Sequence, residues 1–482
     1  MSYEGAKCML SRTVDLHYTS DFLSFGQFML RDRAVRLPLL QRLVIRCRYI
    51  PGEASIGLLL TVLPLAFNLY HLEVIPLENA SPSVIREMSS AIVSLTSLRH
   101  LELGATERNL ANIYHVLSNI RSPLLSVVVL LPLLGETPRR GVMYSRRRDP
   151  IFLLSHMKAT LEQIEVGGLA TFGSYTCQYL RVKKFTHPTY EQSTTIMKPI
   201  ISSFPNLHTL QIGIRATHAR PSLSPNEDIR ELRHASKNTI QQCHDLNKRD
   251  QIMHGRWSKL DSFTGTIIDA YATGLSCHVA TAHLYSTGGK REAELMMLST
   301  ILTDWQPTFL RLALKVHDPA GHIRIFSSSV SWPKSLATLE LRVSIVKEEF
   351  YFDEYFNCIG RVLATTSISA LRLEVRCANT SWNKDETQRG PGAWRANCQD
   401  PDWDGPDAIC WTADALLQED LPQRVRACMR SIPTLRQVTL LWARCWSTVP
   451  DRVIGIDLDN VPYSWDRPGE PSDMWERWGS YR

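Results

Sequence analysis

One pattern recurs along this chain: an apolar residue, two variable positions, a second apolar residue, one variable position, a third apolar residue. Leu40, Leu43 and Ile45 form the first clear copy, Leu69, Leu72 and Val74 the second, and Leu98, Leu101 and Leu103 the third, with a step of 29 residues each time. Alternation over the last three positions is the signature of a short strand with two side chains turned inward and the middle one outward. Between the early copies, Ile85, Met88, Ile92 and Leu95, and then Leu110, Ile113, Leu117 and Ile120, are spaced three and four apart. That spacing makes one apolar helix face, which would lie against the strands. A single strand–helix unit cannot bury its apolar face alone, so several must stack.

Later copies keep the pattern while their spacing drifts. They are Leu124/Val127/Val129, Leu161/Ile164/Val166 and Leu207/Leu210/Ile212, then Phe309/Leu312/Leu314, Leu336/Leu339/Leu341 and Leu435/Val438/Leu440. Leu373 and Val375 belong to another copy, and registers near Leu124, Phe309 and Leu373 are ambiguous because neighbouring apolar residues also fit. The length of 482 residues points the same way, since single closed cores stop growing at about 250–300 residues. The alternative is an ordinary α/β protein whose Leu-rich strands look alike.

The motif and its step resemble leucine-rich repeats of the ribonuclease-inhibitor-like type, and the drifting, insert-rich form is similar to fungal F-box/LRR proteins. The resemblance implies an α/β leucine-rich-repeat-like solenoid, a horseshoe of short parallel strands and helical returns with large inserts. It also implies substrate recognition for a cullin-based ubiquitin ligase, with a cullin-ligase adaptor among the partners. The sequence departs from that family in two ways. Cys47 and Cys377 only nearly mimic its Asn/Cys position, and the sequence lacks a recognisable F-box, since Leu37-Pro38 runs straight into the first repeat; the expectation is either a stand-alone repeat module or a longer protein whose upstream part is missing here.

The expected organisation is an N-terminal cap (1–36), a first repeat block (37–212), a polar and helical insert (213–308), and a second block (309–445) carrying an insert at about 378–410. A Trp-rich cap or tail (446–482) ends the chain. All 12 Trp residues lie at or beyond Trp257, so the second half is built differently. Pro221-Ser222-Leu223-Ser224-Pro225 reads as a turn-rich linker.

Candidate binding residues follow from the strand pattern. The middle positions are Val44, Glu73, Glu102, Val128, Glu165, Gln211, Ala313, Glu340, Glu374 and Thr439. Their five glutamates would make an acidic column suited to a basic protein partner, or a column that simply keeps the face soluble. Two residues earlier runs a second column: Arg42, His71, His100, Gln163, Thr209, Arg311 and Thr338. The expected function is protein–protein interaction through the concave face. A repeat scaffold with no ubiquitin link is one alternative, and an enzyme with its site in the 213–308 stretch is another.

Composition limits the remaining classes. The formal charge of +6 is mild, and nucleic-acid binding usually needs a focused basic stripe; the best cluster is Arg139, Arg140, Arg146, Arg147 and Arg148. Eleven scattered cysteines without a CxxC pair fit reduced thiols in the cytoplasm or nucleus. The longest apolar stretch, Leu124–Leu134, is too short to span a bilayer. Asp400, Asp402, Asp404 and Gly405 begin like a calcium loop, but Trp411 stands where a bidentate Glu is needed. Cys243, His244, His254, Cys277 and His278 lack the spacing of a zinc module. No nucleotide-binding or nucleophile-elbow motif occurs, so neither cofactor nor metal is expected, and no enzyme class is indicated.

Overall fold

The periodic positions become hydrogen-bonded neighbours. In the computed structural model of the chain, Leu43 pairs with Leu72, Leu72 with Leu101, and Leu101 with Val127, each on a parallel strand. The structure describes residues 13–46, 53–75, 81–106, 108–131, 149–167, 177–187, 196–213, 237–286, 291–316, 330–345, 352–377, 421–444, 452–457 and 462–464. The calcium-like loop, the 378–410 stretch, the Arg139–Arg148 cluster and the 221–225 linker lie outside these residues, as does most of the C-terminal tail.

The chain divides into two units, one of residues 1–214 with 249–257, the other of residues 215–248 with 258–482. The first carries β1 (Val14–Leu16), β2 (Arg42–Ile45), β3 (His71–Val74), β4 (His100–Gly104), β5 (Ser126–Leu130), β6 (Gln163–Gly167), β7 (Lys184–His187) and β8 (Thr209–Ile212). Consecutive strands pair in parallel, in chain order. The returns include α1 (Thr19–Arg31), α2 (Glu53–Val62), α3 (Pro82–Ser94) and α4 (Leu110–Asn119). Ser81 caps α3 by accepting from Val84 N, and Pro82 supplies the fixed φ suited to a first helical turn.

One face of the strands is fully buried in this unit. Leu43, Ile45, Leu72, Leu101, Leu103, Val127 and Val129 are buried with Met88, Ile92, Val116 and Leu117 of the helices. Each such side chain contributes about 2 kcal/mol relative to exposure. Of the alternate strand positions, His71, His100, Glu102, Val128 and Glu165 are half-buried, while Val44 and Glu73, expected to face outward, are buried. Side-chain hydrogen bonds also tie successive returns together. Asn68 Nδ2 donates to Pro38 O (2.8 Å), Ser97 Oγ to Leu69 O (2.7 Å) and Asn206 Nδ2 to Leu180 O (2.9 Å). Each donor immediately precedes the first apolar residue of its copy, which closes off carbonyls that the turns leave unpaired.

The second unit carries β9 (Lys259–Thr266), β10 (His278–Tyr285), β11 (Phe309–Val316), β12 (Thr338–Ile345), β13 (Ala370–Cys377) and β14 (Gln437–Arg444), again parallel and in chain order. Two further strands, β15 (Arg452–Asp457) and β16 (Pro462–Ser464), are antiparallel. Its helices include α5 (Lys237–His254, of which residues 237–248 belong to this unit), α6 (Ile267–Ala272), α7 (Arg291–Trp305), α8 (Phe352–Leu363) and α9 (Leu421–Ser431). Trp305, almost wholly buried, packs on Phe263 with ring centroids 4.7 Å apart, and its Nε1 donates to Leu275 O at 3.1 Å.

The expected horseshoe of short strands broken by large inserts is therefore corrected to an α/β fold in which each unit carries its own parallel strands, β1–β8 in the first and β9–β14 in the second. Three features depart from the leucine-rich-repeat expectation. Strands β9–β14 are 8 residues long. Much of the presumed 213–308 insert is β9, β10, α6 and α7, with both strands paired in register alongside β11. The last two strands reverse direction. Ambiguity in the apolar pattern also displaced two strands by two residues, since Leu310, Leu339, Leu371 and Val438 form one row and Leu312, Leu341, Leu373 and Leu440 the next.

Candidate functional site

A polar and aromatic cluster lies on three helices of the second unit, with His244 and Tyr271 buried and Gln241 and Asp245 exposed at its edge. Gln241, His244, Asp245 and Lys248 are three to four residues apart on α5, so they share one face. The stacking surface comes from α6. His244 lies against Tyr271 with ring centroids 4.3 Å apart and planes 10° from parallel. The Tyr271 hydroxyl donates to Gln241 Oε1 at 2.6 Å, and Gln241 Nε2 donates to Asp245 Oδ1 at 3.0 Å. His244 Nδ1 lies 3.0 Å from the same carboxylate oxygen. Lys248 Nζ reaches Asp304 Oδ2 of α7 at 2.7 Å.

Local sequence explains how these groups are held. Thr266 caps α6 by accepting from Asp269 N at 3.0 Å, and its hydroxyl donates to Asp269 Oδ2 at 2.6 Å. Burial pushes the Asp269 carboxyl up, and the two Thr266 hydrogen bonds oppose that rise. Asn247, fully buried, donates to Ala272 O at 2.8 Å and so joins α5 to the end of α6. Gly274 completes the junction with φ of +55°. A Cβ there would stand 2.6 Å from His244 O and 2.8 Å from Lys248 N, so only glycine permits this approach.

The chemistry available is proton transfer. A carboxylate beside Nδ1 favours the tautomer in which Nδ1 carries the proton and Nε2 the lone pair. Tyr271 is held as a protonated donor. Burial raises its hydroxyl most, the Gln241 bond pulls it down, and the charges of Asp245 and Asp304 raise it further. Cys243 is buried below this face, and burial likewise pushes its thiol up. Among the described residues, no group of three or more His, Cys, Asp or Glu is disposed to hold a metal ion, and no helix is long and apolar enough to cross a membrane.

The residues singled out from sequence lie elsewhere, on the strands. Arg42, His71 and His100 are neighbours in one row of the first unit. Glu73 and Glu102 pair in the next row, with Val128 and Glu165 continuing it, and Gln211 standing opposite Thr186 on β7. The expected column keeps its register through the first unit, but in the second Ala313, Glu340, Glu374 and Thr439 do not share one row. Arg46 Nε lies 3.0 Å from Glu73 Oε1, Arg311 Nε lies 2.6 Å from Glu340 Oε2, and Arg342 NH2 lies 2.8 Å from Glu374 Oε1. Glu340 stands beside Arg311 and Arg372, while Glu374 stands beside Arg342 in a different row. Arginines thus pair with three of the five glutamates, and only in the second unit do they stand beside the glutamates in the same row.

Sequence reasoning missed Gln241, Asp245, Lys248, Tyr271 and Asp304, and considered His244 only as a metal ligand. The available signal was the Gln-x-x-His-Asp-x-x-Lys spacing at 241–248, which places four polar groups on one helical face. It is weak, because any exposed helix can carry such a run.

No protein-family model matches the chain, and no curated protein matches it. The F-box/LRR resemblance and its ubiquitin-ligase role therefore have no support from relatives. The ion-paired strand glutamates and the polar and aromatic cluster on the helices fit the enzyme alternative better than a concave binding surface.

Proposed function

We propose that this protein is an enzyme using general acid–base catalysis, with its site at the α5–α6–α7 cluster. One observation carries the reading: His244, buried and stacked on Tyr271, has Nδ1 engaged by Asp245, while Nε2 makes no hydrogen bond among the described residues. A carboxylate-oriented imidazole with one free nitrogen is a proton acceptor ready to act on a water or hydroxyl. The Lys248–Asp304 pair adds a cation where negative charge could develop.

The test is turnover of chromogenic carboxylic esters, phosphate esters and glycosides by the intact chain. Turnover of one class is expected, with His244→Gln lowering kcat by roughly 10²–10⁴-fold and Asp245→Asn lowering it less. If the wild-type chain turns over none of the three classes, or if His244→Gln matches wild type, the catalytic reading fails. A fall in stability without activity in either protein would make the cluster a polar latch between helices.

A further inference from the structure

The first unit holds a second group of polar side chains, independent of the catalytic cluster. Arg42, His71 and His100 occupy one row across β2, β3 and β4. The two imidazole centroids are 5.9 Å apart with planes at 38°. Arg42 Nε is buried and has no hydrogen-bond partner among the described residues. A buried donor without a partner is rare and calls for a water or a bound ion.

The surrounding charges explain why this donor is left over. Asp15 of β1 lies 3.4 Å from Arg46 NH1 and 3.1 Å from His17 Nε2. Glu73 takes two contacts from Arg46, at 3.0 and 3.3 Å, and Glu102 of β4 also acts on Arg46. On the far side, Arg99 NH1 donates away from the row to Pro123 O at 3.1 Å. Beside His100 in the register, β5 presents Ser126, a hydroxyl without charge. The nearby carboxylates thus converge on Arg46, four residues further along, and Arg42 stands in a row with two imidazoles instead of an acid.

We infer that Arg42, His71 and His100 form a binding site for a phosphate group, either free or as a phosphomonoester. The guanidinium offers a planar fork, the two imidazoles offer one donor each from the adjacent strands, and a tetrahedral oxyanion has enough oxygens for all three. Burial and the Arg42 charge keep both imidazoles on the neutral side, with the smaller influence of Glu73 opposing this at His71. An anion seated among them reverses that balance, so binding takes up protons and strengthens as pH falls.

The probes are inorganic phosphate and sulfate, whose charge is fixed over the range used, titrated calorimetrically into the full chain at about pH 5.5 and about pH 8, with proton uptake measured in buffers of different ionisation heat. Saturable binding of both is expected, that of sulfate tighter at the lower pH by about tenfold or more. Arg42→Gln should abolish it, and His71→Gln with His100→Gln should remove the pH dependence of sulfate binding. Phenyl phosphate run alongside separates a monoester site from one that accepts only the free ion. Absence of saturable binding by the wild-type chain at the lower pH overturns the site. So does undiminished binding by an Arg42→Gln protein whose circular dichroism and thermal midpoint match wild type.

Discussion

His244 lies face to face with Tyr271, with 4.3 Å between ring centroids and 10° between planes. The contact fixes α5 against α6, and it sets the imidazole so that one nitrogen meets Asp245 and the other stays open. Tyr271 is itself fixed at its far end by Gln241. Stack and hydrogen bonds therefore form one circuit, running from Gln241 to Tyr271, to His244, to Asp245 and back to Gln241.

Splitting that circuit separates its two contributions. Tyr271→Phe keeps the ring over His244 but loses the hydroxyl donor, and should cost about 1 kcal/mol. Tyr271→Ala also removes a buried ring and should cost about 3–5 kcal/mol. Urea denaturation of the two proteins checks the order. Equal losses would mean that the stacked ring contributes nothing beyond its hydroxyl.

Gly274 tests how closely α5 and the end of α6 must approach. An Ala side chain there meets backbone atoms of α5 at 2.6 and 2.8 Å, at a φ of +55° that L residues rarely adopt. Gly274→Ala should destabilise by about 2 kcal/mol or more. Gly57, inside α2 with nothing within 4 Å of where a methyl would stand, is the control; Gly57→Ala should be neutral or stabilising by roughly 0.5–1 kcal/mol. Thermal melts of both variants decide it, and similar behaviour of the two would refute the steric account.

The strand rows of the first unit were legible because period-two burial leaves a direct trace: Leu43, Leu72 and Leu101 recur at one interval and land in one register. The register of the second unit was not, because Phe309, Leu310, Leu312 and Leu314 crowd one strand and allow a shift of two residues without exposing an apolar side chain. Glu340 and Glu374 were consequently assigned to one column, although their arginine partners, Arg311 and Arg342, stand in different rows. The polar cluster on α5, α6 and α7 was hidden for another reason. Asp304 and Lys248 are 56 residues apart, and nothing local in either segment records that α5 and α7 meet. The polar residues before each repeat, Asn68, Ser97 and Asn206, were visible as letters, yet their role appears only when the preceding return supplies a carbonyl.

Trp305 measures how much the helical layer of the second unit depends on one side chain. Trp305→Phe retains an aromatic ring near Phe263 but frees the Leu275 carbonyl, for a loss of about 1–3 kcal/mol. Trp305→Ala adds a cavity and should cost about 3–5 kcal/mol. Loss of structure on β9 and α7 should follow, seen as faster amide exchange over 259–266 and 291–305. Unchanged protection in the Ala variant would show that this layer is anchored elsewhere.

His283 makes the stability of the second unit depend on pH. Burial lowers its pKa most, the charge of Arg311 on the next strand lowers it further, and Glu340 opposes both, bringing it from 6.5 to about 4. The native imidazole is therefore neutral over a range in which the unfolded chain is protonated. Between 6.5 and about 4 the unfolded state binds the extra proton, so stability rises with pH. The contribution of His283 is complete above the unfolded value and is lost as pH falls through the window to the folded one. Over that whole window the change is about 2–3 kcal/mol. Guanidinium denaturation at half-unit pH intervals should show this slope in the wild-type chain and a flatter one in His283→Gln. Parallel curves for the two proteins would place the acid sensitivity at other groups.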